Sequence, residues 1–304
     1  PVECCRLCST GEFVSASKFV LRRNEESGTC GDTLPQGVPR PGGIGTCPRN
    51  TNREVVMLDV NNLMVFFENA LALNDFSMQV RESEIIGVIG SNSAGKTTLM
   101  NALSGLLIDM RIKEKRKGGE RITVYGSIVY EGLDITEFPP SERVKKGIVL
   151  SRERHPVFPE SSVTENLKIA GYLRKNAEVR EVMEYVFTLF PALVPLRAKK
   201  AGFLSGGEQQ MLAIGMALVV RPRLLLLDEP LLGLSPMMQK ALVNAIVSLN
   251  KESGITVVLS EQFARPVLPI IDRGYVLENG MLTLSGTGAE LMDNPEIKAA
   301  YFGI

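Results

Sequence analysis

A loop at residues 90–97 has the residue types and the spacing of a phosphate-binding cradle. It reads GSNSAGKT and satisfies the pattern G-x-x-x-x-G-K-[ST]. The flanking segments IIGVI and TTLMNAL predict a strand before the loop and a helix after it, the context that the pattern requires. Loop N–H groups would bind phosphate oxygens, Lys96 would add a positive charge, and the Thr97 hydroxyl would ligate Mg²⁺. We therefore predict a nucleotide-binding segment made of Gly90, Ser91, Asn92, Ser93, Ala94, Gly95, Lys96, Thr97 and Thr98.

A second candidate segment, RPRLLLLDEP at residues 221–230, ends in two carboxylates. Its consecutive leucines predict a strand buried on both faces of a parallel sheet, and open α/β sheets bind ligands where such strands end. Because neighbouring strand residues point to opposite sides, we expect different roles for the two carboxylates. Asp228 would hold Mg²⁺ through water, and Glu229 would orient or deprotonate the attacking water. Taken alone, the segment is also consistent with a buried strand that has a polar end.

A third segment, VVLSEQFA at residues 257–264, changes abruptly from apolar to polar side chains. The apolar run predicts a buried strand that delivers Ser260, Glu261 and Gln262 to the edge of a sheet. All three segments therefore place polar groups where predicted strands end. A glutamine at such a position raises the question of what a neutral amide does there.

The secondary-structure elements that must position these groups show the sequence pattern of an α/β domain. From about Glu54 onward, apolar runs alternate with helical patterns. In the chain of 304 residues, 34 Lys and Arg balance 34 Asp and Glu, so no global attraction to nucleic acid is implied. The longest apolar stretches, such as residues 211–220, are about half of the ~20 residues that a membrane span needs. We predict one domain over residues 54–304 that does not cross a bilayer by itself.

Residues 1–53 form a predicted N-terminal extension of different composition. All five cysteines lie in its first 47 residues, and it ends in a Gly/Pro-rich tract that cannot sustain helix or ladder hydrogen bonds. Cys5 and Cys8 have the spacing of a zinc-binding thiolate pair, whereas Cys30 and Cys47 are single. Two interpretations stay open: a small zinc-binding module that recruits a partner, and a poorly ordered extension with free thiols. No charged segment followed by an apolar core is present there, so we predict no secretory signal.

The segment LSGGEQQMLAIGMAL at residues 204–218 identifies the class of protein. Ser205, Gly206 and Gly207 open a predicted helix whose N–H groups are free to bind an anion. One nucleotide already has its cradle, so a second anion site indicates a composite arrangement. The chain resembles the ATP-binding-cassette ATPases, in which this signature in one subunit closes over the ATP that its partner holds. Glu208 stands where the signature usually has glutamine, and all four residues from Ser205 to Glu208 are implied to contact nucleotide.

The resemblance covers roughly residues 55–304 and implies the fold. This fold is a P-loop NTPase of the ABC type, with a mixed sheet core, an antiparallel β subdomain and a helical subdomain at about residues 155–203. In this arrangement Phe67 would stack on adenine. Glu153 falls where most cassettes have the glutamine that contacts Mg²⁺ and senses the permease.

The resemblance also bears on the glutamine at the end of the third segment. Most cassettes have a histidine there, in contact with the γ-phosphate, and Gln262 takes its place. An amide can donate a hydrogen bond to a phosphate oxygen but cannot take up a proton near neutral pH, so activation of water would depend on Glu229. The single histidine, His155, is predicted to be a loop or contact residue without a chemical role.

Several segments together resemble one subgroup, the shorter ATP-binding subunits of branched-chain amino acid importers. They include ERHPVFPESSVTENL, LLLLDEPLLGLSP and IDRGYVLENG. The resemblance implies ATP and Mg²⁺ as cofactors, separate permease subunits and a second ATPase subunit as partners, and a solute-binding protein as an indirect partner. The dimer would be homomeric or formed with a longer sister subunit, and peripheral on the cytoplasmic side of the inner membrane. A urea or amide importer and a soluble cassette without a transport role stay open as alternatives.

Three features depart from the family pattern. Ser93 stands in the cradle where glycine is usual, which adds a β-carbon at a position of positive φ. Leu231 stands where Ser or Thr usually follows the Asp-Glu-Pro. The stretch IDMRIKEKRKGGERI at residues 108–122 is more basic than usual and is predicted to be a solvated loop, with contact to a phosphate-bearing partner as the alternative.

Overall fold

The computed structural model describes residues 56–119, 121–153 and 157–302. The predicted extension at residues 1–53, which contains Cys5, Cys8, Cys30 and Cys47, lies outside the described residues, as does His155. The zinc hypothesis, the domain boundary near residue 53 and the interpretation of His155 therefore stay predictions.

Ten strands and nine helices are described in these ranges. The strands are β1 (Val56–Phe67), β2 (Ala70–Arg81), β3 (Ile85–Ile89), β4 (Ile122–Tyr130), β5 (Leu133–Asp134), β6 (Ile148–Ser151), β7 (Leu224–Asp228), β8 (Thr256–Glu261), β9 (Arg273–Glu278) and β10 (Met281–Thr287). The helices are α1 (Lys96–Ser104), α2 (Leu106–Arg116), α3 (Pro140–Lys145), α4 (Val163–Ala170), α5 (Asn176–Leu189), α6 (Gly206–Val219), α7 (Pro236–Ser253), α8 (Gly288–Asp293) and α9 (Pro295–Ile297). Short 3₁₀ turns lie at Pro191–Leu196 and Ala201–Phe203, and a π turn at Lys298–Phe302.

The strands form two sheets, as the predicted fold class requires. One is antiparallel in the order β2-β1-β4-β5, and the other has the order β10-β9-β3-β8-β7-β6. In the second sheet only the β9–β10 pair is antiparallel, so the sheet is mixed. Leu224 to Leu227 of β7 are fully buried, which explains their continuous apolar run. Because β3, β8, β7 and β6 run parallel, their carboxyl ends meet at one edge of the sheet.

Helix α1 lies in the core that joins the two sheets. Leu99 and Leu103 of α1 belong to the same buried cluster as Leu58 and Phe76 of the antiparallel sheet and Leu226 of the mixed sheet. The start of α1 therefore has little freedom to move relative to either sheet, because interiors of this kind are closely packed.

A buried arginine holds the other end of α1. Arg143 is 1% exposed, and its guanidinium donates hydrogen bonds to the carbonyl oxygens of Ala102 and Leu103 in the last turn of α1. It also donates to Phe138, Ile135 and Thr136 carbonyls. Burial lowers the pKa of Arg143 to about 10, so the group still carries its charge near neutral pH. A cation at a helix C-terminus is favourable for the helix dipole.

Helices α4, α5 and α6 form a helical layer. The first two fall within the predicted helical subdomain. Asn166 of α4 is fully buried and bonds the Phe158 backbone on both sides, through the Phe158 N–H and carbonyl. A β-carbon added at Gly215 of α6 would lie 2.7 Å from Val186 of α5, so the two helices approach closely because this residue is glycine.

The prediction of a loop at residues 108–122 is wrong for most of its length, whereas the predicted exposure to solvent is confirmed for most of its residues. Residues 106–116 form α2, which begins after the left-handed Gly105 and buries Leu107 and Ile108. The segment is rich in Leu, Met, Lys, Arg and Glu, which have high helix propensity, and this signal outweighs its charge. The Asn-Gly pair in IDRGYVLENG predicts a hairpin turn, and the structure confirms it, since β9 and β10 are joined by Asn279 and Gly280, both at positive φ. Among the described helices, none has the length and apolarity of a membrane span.

Candidate functional site

The predicted cradle connects β3 to α1 and is closely enclosed by backbone. Gly95 is the N-cap of α1, has φ 106° and provides no side-chain cap, so it leaves the N–H groups of the first turn without side-chain partners there. A β-carbon at Gly95 would lie 2.7 Å from the Ala72 carbonyl oxygen, and one at Gly90 would lie 2.4 Å from that of Leu277. Ser93 has φ 65°, which confirms the expected positive φ. The loop presents backbone donors to an anion at the positive end of a helix.

A cavity of about 350 Å³ opens over this loop. It joins the cradle to β2, to the end of β7 and to the β9–β10 turn. Its lining residues are Leu71, Ala72, Ser93, Gly95, Lys96, Thr97, Thr98, Glu229, Asn279 and Gly280. Five of these residues belong to the predicted cradle segment, and Glu229 directly follows the distant strand β7. Sequence reasoning missed Asn279 and Gly280 as site residues, because an Asn-Gly pair by itself indicates only a hairpin turn.

Lys96 is a buried cation of the site. Its side chain is 3% exposed and its Nζ donates to the carbonyl oxygens of Gly90 and Ser91, at 2.9 and 2.8 Å. The same Nζ forms an ion pair with Glu229 Oε1 at 3.0 Å. A triphosphate in the cradle would therefore compete with Glu229 for Lys96, and its binding would release the carboxylate.

The carboxylate of Asp228 faces the start of α1. The Thr97 hydroxyl lies 3.4 Å from Asp228 Oδ1, and the Ser260 hydroxyl donates to the same oxygen at 2.7 Å. Burial raises the pKa of Asp228, against the lowering effect of hydrogen bonds from Ser260 and Thr97. The negative charge of Glu153, which follows β6, adds to this increase, so Glu153 lies within electrostatic range. Hydroxyl and carboxylate oxygens are the ligands that Mg²⁺ prefers, so these residues fit that ion.

Glu229 does not follow the alternation of side-chain direction that the sequence predicts for two neighbouring residues of a strand. Strand β7 ends at Asp228, and Glu229 has φ 46°, in the left-handed region that non-glycine residues rarely adopt. Its N–H is held by the carbonyl and the hydroxyl oxygen of Ser260, at 3.1 and 3.2 Å. The expectation of opposite sides is therefore wrong: Asp228 and Glu229 both reach the first turn of α1, at Thr97 and Lys96 respectively.

The third predicted strand, β8, lies between β3 and β7. Glu261 at its end is 1% exposed, and its Oε1 accepts a hydrogen bond from the Leu231 N–H at 2.8 Å. Burial raises the pKa of Glu261 to about 8, against the hydrogen bonds from the Leu231 and Gln262 backbone. The Gly90 N–H donates to the Glu261 carbonyl. Gln262 follows, half-buried, and its role at the γ-phosphate stays a prediction.

Phe67 is the last residue of β1, and β1 ends beside the cavity. It is half-buried against the core and pairs with Ala70 of β2, next to the cavity residues Leu71 and Ala72. It does not itself line the cavity in the described structure. Its stacking on adenine stays a prediction.

The signature segment starts α6, but its N–H groups are not all free. Ser205 is the N-cap, its hydroxyl accepts from the Glu208 N–H, and Glu208 Oε2 accepts from the Ser205 N–H at 2.8 Å. The prediction of an open anion site is therefore wrong for these two donors. The pattern Ser-x-x-Glu, a capping box, could have revealed this from the sequence. None of Ser205, Gly206, Gly207 and Glu208 lines the cavity of the described chain.

Comparisons with known proteins agree on one family. A profile of the ABC transporter family matches residues 73–232. A high-affinity branched-chain amino acid transport ATP-binding protein, BraG of Pseudomonas aeruginosa, is 40% identical over 247 residues, which cover 81% of this chain and 100% of BraG. A probable protein of the same kind, LivF of Archaeoglobus fulgidus, is 33% identical over 249 residues, covering 82% and 99% of the two chains.

A solved structure has the same fold. The crystal structure of MJ1267 in its ADP conformation, an ATP-binding cassette of an ABC transporter, superimposes with a TM-score of 0.68 and 26% identity, covering 82% of this chain and 99% of that one. The phosphate cradle, the two carboxylates at the end of β7 and these likenesses lead to one assignment. The chain belongs to the ABC transporter family and has the P-loop fold of its ATP-binding cassettes.

Proposed function

We propose that the chain is the ATP-hydrolysing subunit of an ABC importer and drives the uptake of branched-chain amino acids through separate permease subunits. One observation carries the proposal. The cavity that joins Lys96, Thr97 and Glu229 lies in a chain that is 40% identical to the whole of BraG, a branched-chain amino acid transport ATP-binding protein. The names of the relatives favour this solute over urea or amides, and they favour a transport role over a soluble one.

The proposed reaction begins when the triphosphate of ATP enters the cradle. Its β- and γ-phosphates take the place of Glu229 at Lys96 Nζ, where the carboxylate now lies 3.0 Å away. The released Glu229 orients the attacking water or accepts its proton. Thr97, Asp228 through water, and Glu153 would hold Mg²⁺, which would supply positive charge against the charge that develops on the phosphates.

Gln262 in this proposal contributes hydrogen bonds and no proton transfer. A primary amide donates to a phosphate oxygen and accepts from water, but it does not titrate near neutral pH. Glu229 is then the only proton acceptor that the proposal places beside the γ-phosphate. Phe67 supplies an aromatic face for adenine, as its place at the end of β1 beside Leu71 allows.

The second anion site of the proposal acts across a dimer. The start of α6 in one subunit, from Ser205 to Glu208, closes on the γ-phosphate that its partner holds. The partner is a second copy of the chain or a longer sister subunit. The complete assembly places the dimer on permease subunits at the cytoplasmic face of the inner membrane, with residues 157–165 at the permease contact and a solute-binding protein as an indirect partner.

Transport by the complete assembly tests the proposal. The gene for the chain and those for its neighbouring permeases would be expressed together, and uptake of labelled leucine and labelled urea would be measured in membrane vesicles. We expect ATP-dependent uptake of leucine that Glu229→Gln abolishes. Uptake of urea alone, or purification of the chain without a multi-span membrane protein, would contradict the proposed solute or the transport role respectively.

The zinc hypothesis for residues 1–53 needs its own measurement. Metal analysis of the full chain purified without chelator decides it. Zinc at one equivalent, lost in a Cys5→Ser/Cys8→Ser variant, is the expected result of a zinc site, and absence of zinc in the purified chain would end this hypothesis.

A further inference from the structure

Ser260 is a buried hydroxyl in a strand that is otherwise apolar at its centre. It lies near the end of β8, is 0% exposed, and pairs with Val88 of β3 on one side and with Asp228 of β7 on the other. A hydroxyl without a partner at such a position would cost free energy, so its hydrogen bonds matter to the fold and to the site.

The Ser260 hydroxyl bonds both residues that carry the carboxylates. It donates to Asp228 Oδ1 at 2.7 Å and accepts from the Glu229 N–H at 3.2 Å. The assignment of the proton is unambiguous, because a backbone N–H is only a donor and the single hydroxyl proton is left for Asp228.

One of these two hydrogen bonds restrains the Asp228 side chain, and the other restrains the Glu229 backbone. The bond to Asp228 selects one orientation of its carboxylate and stabilises the ionised form, while Oδ1 also lies 3.4 Å from the Thr97 hydroxyl. The bond from the Glu229 N–H helps to hold a backbone at φ 46°, a conformation that costs free energy in a non-glycine residue. One side chain therefore sets the relative position of the two groups.

We propose that Ser260 is a positioning residue for ATP hydrolysis, whose hydroxyl holds the Asp228 carboxylate and the Glu229 backbone in their working arrangement. The inference rests on the proposed roles of Asp228 and Glu229. Ser260 is assigned no contact with substrate or metal and acts only through Asp228 and Glu229.

A buried serine on the neighbouring strand provides a matched control. Ser151 ends β6, is 3% exposed, and its hydroxyl has no hydrogen-bond partner among the described residues. The variants Ser260→Ala and Ser151→Ala remove the same atom from similar surroundings, and only the first breaks a bond to a carboxylate. A second pair, Ser260→Thr and Ser260→Val, adds the same volume and differs only in the hydroxyl.

The test measures binding and turnover separately in the full chain. A fluorescent ATP analogue gives nucleotide affinity with EDTA and with Mg²⁺, electron paramagnetic resonance gives the affinity for Mn²⁺ in the presence of ATP, and phosphate release gives kcat and KM. For Ser260→Ala we expect unchanged affinity in EDTA, about tenfold weaker Mn²⁺ binding, and kcat lowered about tenfold with little change in KM. Ser260→Thr should exceed Ser260→Val in kcat, and Ser151→Ala should match the parent chain.

Two outcomes would overturn the inference: parental kcat and Mn²⁺ affinity in Ser260→Ala, or equal losses in Ser260→Thr and Ser260→Val. The variant Asp228→Asn separates this failure from that of the proposed site. If Asp228→Asn weakens Mn²⁺ binding and Ser260→Ala does not, only the role of Ser260 is wrong. If Asp228→Asn has no effect on Mn²⁺ binding, the proposed metal site itself is wrong.

Discussion

The starts of α1 and α6 both follow glycine-containing motifs that indicate anion binding, yet they differ in one respect. At α1 the N-cap is Gly95, no side chain caps the helix, and the first turn contains no acidic residue. At α6 the N-cap is Ser205, and a reciprocal capping box with Glu208 satisfies two backbone donors and places a carboxylate in the first turn. The helix start at α1 therefore leaves its backbone donors available for phosphate, whereas two donors at the start of α6 are already bonded to side chains of the same helix start.

This difference in capping explains why α1 can bind phosphate within one chain, whereas at α6 the phosphate must first compete with the capping carboxylate of Glu208. Phosphate would bind at α1 without displacing a hydrogen bond of the helix, although it would have to displace Glu229 from Lys96. At α6, phosphate has to displace the Glu208 carboxylate from the Ser205 N–H, and the two groups carry like charge. We therefore expect α6 to contribute only when a partner subunit presents a fully held triphosphate.

The largest effect is expected for Glu229, whose carboxylate pairs with Lys96 at the start of α1. Glu229→Gln should lower ATP turnover by at least about 100-fold, because it removes the proposed proton acceptor. ATP should bind at least as tightly as to the parent chain, since an amide competes less well for Lys96, and a dimer should be trapped because the bound ATP is not hydrolysed. Phosphate release and gel filtration with ATP and Mg²⁺ measure both effects. The exposed Glu252 provides a control as Glu252→Gln, and normal turnover in Glu229→Gln would refute the role of Glu229.

The next effect concerns the N-cap of α6. Ser205→Ala should weaken ATP-induced dimerisation about tenfold and leave ATP binding by the single chain unchanged, because only the second site needs Ser205. Loss of a cap also costs about 1 kcal/mol of stability. Ser162→Ala is the matched control, since Ser162 forms the same capping box with Glu165 at the start of α4. Equal effects of the two variants on dimerisation, measured by analytical ultracentrifugation, would contradict a nucleotide contact at Ser205.

A smaller effect, of opposite sign, is expected for the acidic residue of the signature. Glu208→Gln should tighten ATP-induced dimerisation about threefold, because it removes a negative charge from the site that receives the γ-phosphate. The control Glu165→Gln changes the corresponding residue of α4 and should have no effect. The gain should decrease at high salt, and weaker dimerisation of Glu208→Gln would show that the carboxylate assists the second site.

A separate effect, measured without nucleotide, is a dependence of stability on pH. Burial raises the pKa of Glu261 from 4.5 to about 8, so between these values the folded chain binds more protons than the unfolded chain. Its free energy of unfolding then falls as pH rises through this window, by at most about 1.4 kcal/mol per pH unit. Glu261→Gln keeps an oxygen for the Leu231 N–H and lacks this contribution, so its stability relative to the parent should increase from pH 5 to pH 8. Urea titrations at several pH values measure the difference, and parallel curves would contradict the shifted pKa.

Much of the site was predictable from local patterns. The spacing in GSNSAGKT identified the cradle, and the apolar run before Asp228 predicted both the buried strand and its polar end. The Asn-Gly pair predicted the β9–β10 hairpin. These predictions succeeded because turn geometry, strand burial and helix starts depend on residues within a few positions of one another.

Other contacts could not be predicted in this way. The Lys96–Glu229 ion pair joins residues more than a hundred positions apart, and the bridge from Ser260 to Asp228 and Glu229 depends on the register of β8 beside β7. The cavity wall at Asn279 exists because β9 lies next to β3.

The sequence by itself determined the class of the protein and which residues can bind phosphate, ligate a metal or accept a proton, because these properties follow from residue type and local spacing. The tertiary structure alone decided which of these groups meet and in what state, for example that Lys96 is paired with Glu229 and that burial raises the pKa of Glu261 to about 8. The physical reason is that strand order and register bring distant residues within a few ångströms and remove them from water, and both the strength of a charge interaction and the cost of a charge depend on that distance and that exposure.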